Sequence, residues 1–394
     1  MTTKQTARET IESARETLLA LSHRIHANPE LGYQEKAACA SLVQTLRDAG
    51  LAVETQYCGL ETSFVARAGS GPLHVAICAE YDALPGIGHA CGHNIIASSA
   101  AGAGIGLARV ADEAGLTVSV IGTPAEEGGG GKIALLARGG FDGVHAAMMV
   151  HPAPIDVLMP SILAAQRLDV RYVGKSAHAS SFPQLGINAM DAMTIAQVAI
   201  GLLRQSMRSS DRVHGIVTDC GDAPNIIPAH SAAQYSIRAR TIGELDDIRD
   251  KVIKCFEAGA VATGAKLELS SAGTGDPRGG IAYAELKSDE AIAAHYKDNA
   301  EALGRTFPQM NPRAAAAAGS TDMGNVSLAI PSIHPMIGID SHPAVNHQPE
   351  FTQHCVTETA DRAVIDGAIA MAWTAIDCAN DAVLRKRLLA QTSP

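Results

Sequence analysis

The chain has 394 residues, 46% of them hydrophobic and 18% charged, with a formal net charge of −10. That length exceeds what one compact core usually holds and predicts two domains, and the composition is that of a folded globular protein. The acidic balance supplies no basic stripe to neutralise phosphates, which excludes a nucleic-acid partner, and no apolar run is long enough to span a bilayer.

The polar N-terminus lacks the apolar core of a signal peptide, so a cytoplasmic protein with no membrane partner is expected. The eight cysteines are scattered without framework spacing and read as reduced thiols. A helical apolar period runs from Lys4 to His26 and stops at Asn28-Pro29. A second helix is predicted over Glu35–Ala49, ended by Gly50. Then come a strand at Leu73–Cys78, a Gly-rich loop, and a buried helix from Ile95 to Ala114. A strand at Leu116–Gly122, the loop Thr123–Gly131, a short helix and a strand at His145–Val150 follow. Strands alternating with helices predict an α/β domain: a mixed, mostly parallel central sheet flanked by helices.

After His151 the pattern changes. Arg167–Gly174 alternates like a half-exposed strand, Asn188–Gln205 is helical, and Val213–Asp219 and Ala232–Arg240 are strand-like. Ile242–Ala262 is helical and Lys266–Ser270 alternates. This β-α-β-β-α-β order is that of a ferredoxin-like α+β domain. It reads as an insertion over residues 163–275, which makes the first domain discontinuous, 1–162 plus 276–394. A helix at Ala291–Leu303, a loop around Gly319, a strand at Met336–Ile339 and a last helix over Thr357–Ala379 complete the chain.

Chemistry concentrates in loops that follow strands, where α/β proteins keep their sites. One holds Cys91-Gly-His93, another Glu126-Glu127 before the run Gly128–Gly131, a third His151, and a fourth His342 and His347. Taken singly these residues have bland readings: a structural histidine, an inert thiol, a solvated acidic pair. Together they form a mixed thiolate, imidazole and carboxylate ligand set, which suits zinc, with manganese or cobalt as alternatives. Five ligands exceed the need of one tetrahedral ion and favour two ions sharing a bridge. Adjacent side chains diverge in an irregular loop, so one glutamate can bind metal while the other acts as general base and acid. The glycine run is not a phosphate loop, because Glu126 and Ile133 stand where that motif needs Gly and Ser or Thr. Cys91 as a nucleophile with His93 as base, without metal, is a rival reading, and so is a non-catalytic protein that binds amino-acid conjugates.

Several stretches occur in the order of one family: His26-Ala-Asn-Pro-Glu-Leu-Gly-Tyr-Gln-Glu35, Ala90-Cys-Gly-His-Asn94, Pro124-Ala-Glu-Glu-Gly128, Gly174-Lys-Ser-Ala-His178-Ala, Asn225-Ile-Ile-Pro228 with Arg238, Gly319-Ser-Thr-Asp322 and His347-Gln-Pro-Glu-Phe351. On these the chain resembles the dinuclear-metal aminoacylase and carboxypeptidase family of amidohydrolases. The similarity is to the branch of indoleacetyl-amino-acid, hippurate and p-aminobenzoyl-glutamate hydrolases. The resemblance implies a two-domain metallopeptidase that hydrolyses the amide bond of an N-acyl amino acid or dipeptide with a free carboxylate. It implies a metal-bound hydroxide with Glu126 as general base, and two divalent ions per subunit held by Cys91, His93, Glu127, His151 and His347. It further implies that Asp82 supports a ligand from behind, that His178 stabilises the tetrahedral intermediate, and that Asn225, Arg238 and Gly319 contact the substrate carboxylate. The inserted domain is implied to act as lid and to build a homodimer. Three positions leave alternatives open. Asn94 stands where many branch members carry Asp; Glu80 stands where distant relatives carry a His ligand, which leaves it open as an additional ligand or as a group that supports one from behind; and His342 competes with His347.

Overall fold

The computed structural model describes residues 1–270, 280–308 and 319–391, and the alanine run at 314–318 lies outside them. The chain divides into two units, Met1–Ser161 with Leu286–Pro394, and Ile162–Glu285. The expected second boundary at 275/276 falls outside the described residues; the inserted unit continues to Glu285 because strand Ala282–Tyr283 pairs with Ala164–Val173.

The larger unit is built on a six-stranded sheet. Its order is Ala52–Thr55, Phe64–Ala68, Leu116–Gly122, Leu73–Ala79, Ala146–Met148 and Ser332–Ile333. The last four run parallel and the first two pair antiparallel at the edge. Leu73–Ala79 and Leu116–Gly122 are buried along nearly their whole length, as strands covered on both faces must be. Helix His93–Ala108 is buried all round and packs between this sheet and helix Glu358–Asn380. Its small residues permit that approach: a Cβ on Gly104 would stand 2.3 Å from Val120 Cγ2. The expected N-terminal helix is two helices, Thr3–Ser13 and Arg15–Ala27, broken at Ala14, whose ψ of 1 leaves the helical region. Likewise the run expected as Ile95–Ala114 splits into His93–Ala108 and Ala111–Ala114.

The inserted unit has the strand order Lys266–Ser270, Ala164–Val173, His230–Ala239, Arg212–Asp219, all antiparallel, with helices Ala189–Leu203 and Ile242–Thr263 packed on one another and on the sheet. That is the ferredoxin-like arrangement. Its own core includes Tyr172, Ala196, Ile237 and Phe256. No helix among the described residues is long and apolar enough to cross a membrane.

Candidate metal centre

The four parallel strands end side by side, and each is followed by a residue that can bind metal. Glu126 and Glu127 follow Leu116–Gly122, Glu80 and Asp82 follow Leu73–Ala79, His151 follows Ala146–Met148, and His334 follows Ser332–Ile333. His93 opens the buried helix behind Gly92, whose φ of +75 favours glycine. A side chain at Gly92 would also meet Pro152 Cγ at 2.4 Å, so glycine here lets the Cys91 loop lie against the His151 strand.

The loop bearing the two glutamates is pinned at alternate residues. Buried Glu35 accepts the Ala125 N–H at 2.8 Å, and Asp82 Oδ2 accepts the Glu127 N–H at 2.9 Å. Asp82 Oδ1 also accepts the His93 Nδ1–H at 3.0 Å, which leaves the Nε2 lone pair of His93 facing the cluster. His151 is set the same way: its Nδ1 donates to the Pro152 carbonyl at 2.9 Å and its Nε2 faces Cys91. His347 N–H donates to the Ala90 carbonyl at 2.8 Å, tying the C-terminal loop to the Cys91 loop.

The donor atoms then converge. Cys91 Sγ stands 3.4 Å from His151 Nε2 and 3.5 Å from His347 Nε2. Glu127 Oε1 stands 3.4 Å from His347 Nε2, and Glu80 Oε2 3.5 Å from His93 Nε2. Two donors on one tetrahedral ion are about 3.4–3.6 Å apart when the bonds are roughly 2.0–2.3 Å long. Three groups of donors lie within 4.8 Å of one another: Cys91 with His93 and His151, Cys91 with Glu127 and His347, and Glu80 with His93 and Glu126. The first two share Cys91. Buried His93 Nε2, Glu80 Oε2 and Glu127 Oε1 make no well-formed hydrogen bond to a described residue. Buried polar atoms that face each other at these distances fit a cation between them.

The electrostatics separate the two glutamates. Burial raises Glu126 well above the usual carboxylate range, and the charges of Glu80, Glu127 and Asp322 add to that. Burial also pushes Glu127 up, but the His347 ring 3.4 Å away and the charge of His93 outweigh it, so Glu127 lies below the usual range. Burial, with Glu127, drives the Cys91 thiol well above its ordinary value. For His93 burial acts downward, and Asp82 and Cys91 outweigh it and raise the ring's pKa. His151 is lowered to about 4 by burial.

His347 is the histidine of the last loop that reaches the cluster; His342 is exposed and belongs to none of the three donor groups. Gly319 is exposed in the larger unit. His178, Asn225 and Arg238 belong to the inserted unit. There the segment around His178 bridges Ile226, and Ala179 N–H donates to the Asn225 carbonyl at 3.0 Å, which makes His178 and Asn225 neighbours. Arg238 is half-buried on strand His230–Ala239, and burial lowers its pKa.

Sequence reasoning assigned no role to four participants: Glu35, Lys132, Asp322 and His334. Glu35 holds the glutamate loop. Lys132 is fully buried between Glu80 and Asp322, with Nζ 2.5 Å from Glu80 Oε1 and 2.6 Å from Asp322 Oδ1. His334 is buried with its ring 5.4 Å from that of His151. No pattern in the sequence distinguishes a buried lysine from an exposed one; His334 carries the strand-end signal, but its strand is only two residues long and leaves no apolar run to mark it.

The profile of peptidase family M20/M25/M40 matches residues 76–364, which contain most of this centre. The chain belongs to that family. An Xaa-Arg dipeptidase of Mus musculus is 37% identical over 389 residues, covering 95% of the chain and 88% of that protein. A p-aminobenzoyl-glutamate hydrolase polypeptide of Escherichia coli (strain K12) is 31% identical over 66% of the chain and 58% of its own length. Among solved structures, a dinuclear metal binding peptidase of the M20 family from Bacillus subtilis superposes with a TM-score of 0.69 at 20% identity, covering 94% of the chain and 99% of that structure. The M20 chain described here is therefore a hydrolase with dipeptidase and amidohydrolase relatives, and its two-domain α/β fold is that of the family.

Proposed function

We propose that the protein is a dinuclear metal-dependent amidohydrolase that cleaves the amide bond of a dipeptide or N-acyl amino acid carrying a free carboxylate. The observation that carries this reading is the pair of donor triads sharing Cys91, with Glu126 beside them. Cys91, His93 and His151 would hold one divalent ion, and Cys91, Glu127 and His347 the other. The mix of sulfur, nitrogen and oxygen donors favours zinc, with manganese or cobalt able to substitute. When bound, such ions polarise a carbonyl and make a neighbouring water acidic.

The chain's own residues do the rest. Glu126, buried and with its pKa raised, takes a proton from the attacking water and gives it to the leaving amine. Glu127, held anionic by His347 and His93, serves as a ligand. Environments that push two neighbouring carboxyl groups apart in this way divide acid–base work from ligation. In the inserted unit, His178 steadies the developing oxyanion while Arg238 and Asn225, with Gly319, bind the substrate's terminal carboxylate. A guanidinium suits that task because it bonds both carboxylate oxygens in parallel. The inserted unit also pairs two copies of the chain: Ile195, Val198 and Leu202 form an exposed apolar stripe on helix Ala189–Leu203.

A metal-free thiol mechanism is disfavoured by the site. A nucleophilic cysteine needs a lowered pKa, and burial beside Glu127 raises that of Cys91. A purely binding role leaves unexplained a carboxyl group poised next to the donor triads.

The test is to strip the protein with chelator, restore zinc, manganese or cobalt, and assay dipeptides and N-acyl amino acids. Dipeptides with a C-terminal arginine come first, given the dipeptidase relatives. The reading requires about two ions per chain and activity that follows reloading. Full activity with no bound ion would refute it.

A further inference from the structure

Glu35 is completely buried and belongs to none of the three donor groups. It precedes helix Lys36–Asp48 and lies 90 positions from the loop residue that it meets. Its two oxygens have separate partners. Oε1 accepts the Ala125 N–H and Oε2 accepts the Thr62 hydroxyl, both at 2.8 Å. Burial raises its pKa, and the bonds from Thr62 and Ala125 act against that rise. A carboxylate is costly to bury, so one kept here calls for a task.

Ala125 supplies the task. Its φ of +56 lies in the left-handed region, which disfavours a residue with a Cβ. Its methyl is buried, and Gly32 and Gly129 leave room for it: a Cβ on Gly32 would stand 2.9 Å from Ala125 Cβ, and one on Gly129 2.6 Å. The same N-terminal segment grips the loop again where the Tyr33 hydroxyl donates to the Gly129 carbonyl at 2.8 Å. The chain therefore enters the Glu126-Glu127 pair through a disfavoured turn that a distant segment holds in place.

The two glutamates are served by different carboxylates. Asp82 accepts the Glu127 N–H and the His93 Nδ1–H, so it sets two ligand residues. Glu35 acts one residue before Glu126. Without the Glu35 bond, Ala125 is free to relax toward an ordinary negative φ while Asp82 still holds Glu127. Such a rotation moves Glu126 first, and a displacement of about 1 Å at a reacting group can cost roughly 10²-fold in rate.

We propose that Glu35 is a positioning residue for proton transfer: by holding Ala125 left-handed it aims the Glu126 carboxyl, separately from the metal binding that Asp82 supports. This rests on the reading of Glu126 as general base given above.

The experiment uses the full chain, reloaded with metal, as wild type, Glu35→Met, Glu35→Gln, Thr62→Val, Asp82→Asn and Glu126→Gln. Each is checked for a cooperative melt and studied well below it. Bound ions and the cobalt spectrum are measured, with amide exchange across Thr123–Gly131 by mass spectrometry. Rates are measured as kcat and KM on the best substrate of the dipeptide and N-acyl amino-acid panel. Glu35→Met should bind two ions with the wild-type cobalt spectrum and exchange the Ala125 amide at least about tenfold faster. Its kcat should fall about 10²-fold, with KM within about threefold of wild type. Glu35→Gln keeps an acceptor for Ala125 without the charge, so it should recover about tenfold or more of that loss. Thr62→Val frees Oε2 of Glu35 and should shift exchange and kcat the same way by a smaller factor. Asp82→Asn should lose metal instead. Wild-type kcat or unchanged Ala125 exchange in Glu35→Met, or in Thr62→Val where Glu35→Met does not fold, would overturn the inference. So would metal lost in step with activity in Glu35→Met, or a Glu35→Gln protein as slow as Glu35→Met. Turnover of Glu126→Gln within about tenfold of wild type would sink the general-base reading, and this inference with it. An inactive Glu126→Gln beside a fully active Glu35→Met would sink this inference alone.

Discussion

Replacing Glu126 by Gln tests the proposed chemistry with the least structural disturbance. Glutamine has the same shape, and the site is nearly closed, with Glu126 only 6% exposed. Two effects of opposite sign are expected. Loss of the proton acceptor should lower kcat by about 10²–10⁴-fold. At 1.36 kcal/mol per decade this is roughly 3–5 kcal/mol of transition-state stabilisation. Stability should move the other way in the metal-free protein. Glu126 has a pKa raised by burial and by Glu80, Glu127 and Asp322. A carboxyl group raised on folding costs nothing below its unfolded value, about 4.3, and destabilises increasingly as pH rises through its folded value. Glutamine removes that cost. The metal-free variant should therefore melt above the metal-free wild type at neutral pH, and the gap should close near pH 4. Steady-state kinetics on reloaded protein, metal analysis and calorimetric melts at several pH values check both effects. Turnover within tenfold of wild type with both ions bound would remove Glu126 from catalysis. A metal-free variant that melts lower at neutral pH would refute the electrostatic account.

Four further outcomes follow from the site. Cys91→Ser takes a donor from both triads at once, so both ions should weaken, as metal analysis after dialysis would reveal. Metal loading should release protons and strengthen with rising pH, because Cys91 and His93 both have raised pKa values and must give up protons to bind; calorimetry in buffers of different ionisation enthalpy measures the count. A thiol reagent should modify Cys91 only after the ions are stripped, read by mass spectrometry of the peptide. His347→Ala should lower metal content and His342→Ala should leave it unchanged, since only His347 reaches Cys91 and Glu127.

The fold was legible where the pattern was strong. Leu116–Gly122 and Lys266–Ser270 stand where their apolar patterns put them, because a strand that is buried, or that packs alternate apolar residues such as Leu267 and Leu269 against a core, writes that into its residues. Ala52–Thr55 and Phe64–Ala68 were not read as strands. The first is a four-residue edge strand, mostly exposed, and has almost no apolar signal. The helix breaks at Ala14 and Arg109–Val110 were invisible for another reason: neither site carries Pro or Gly, and only packing decides them. At the centre, the residues with distinctive chemistry could be read from type and spacing: Cys91, His93, the two glutamates, His151 and His347. Glu35, Lys132 and Asp322 could not. Their roles depend on which backbone N–H or ammonium they meet across distant segments, and Lys132 N–H reaches Asp322 over 190 positions.

Charge balance ties these residues together. Glu80, Asp82, Glu126 and Asp322 are buried, and Glu127 nearly so, against a single buried lysine. Burying so many carboxyl groups is unfavourable unless some stay protonated or cations enter. In the metal-free chain protons do part of this, which is why Glu126 rises and why burial lifts Asp322 to about 6 despite Lys132. Two divalent cations would replace those protons and release the carboxylates for ligation. The same imbalance that makes the metal-free site costly would make metal binding stabilise the native state, by RT ln(1 + [metal]/Kd) for each ion in excess. The melting temperature should therefore climb with added metal, and climb less in Glu126→Gln, whose metal-free state has already lost part of the strain. An equal climb in both proteins would mean that Glu126's charge is not part of what the ions balance.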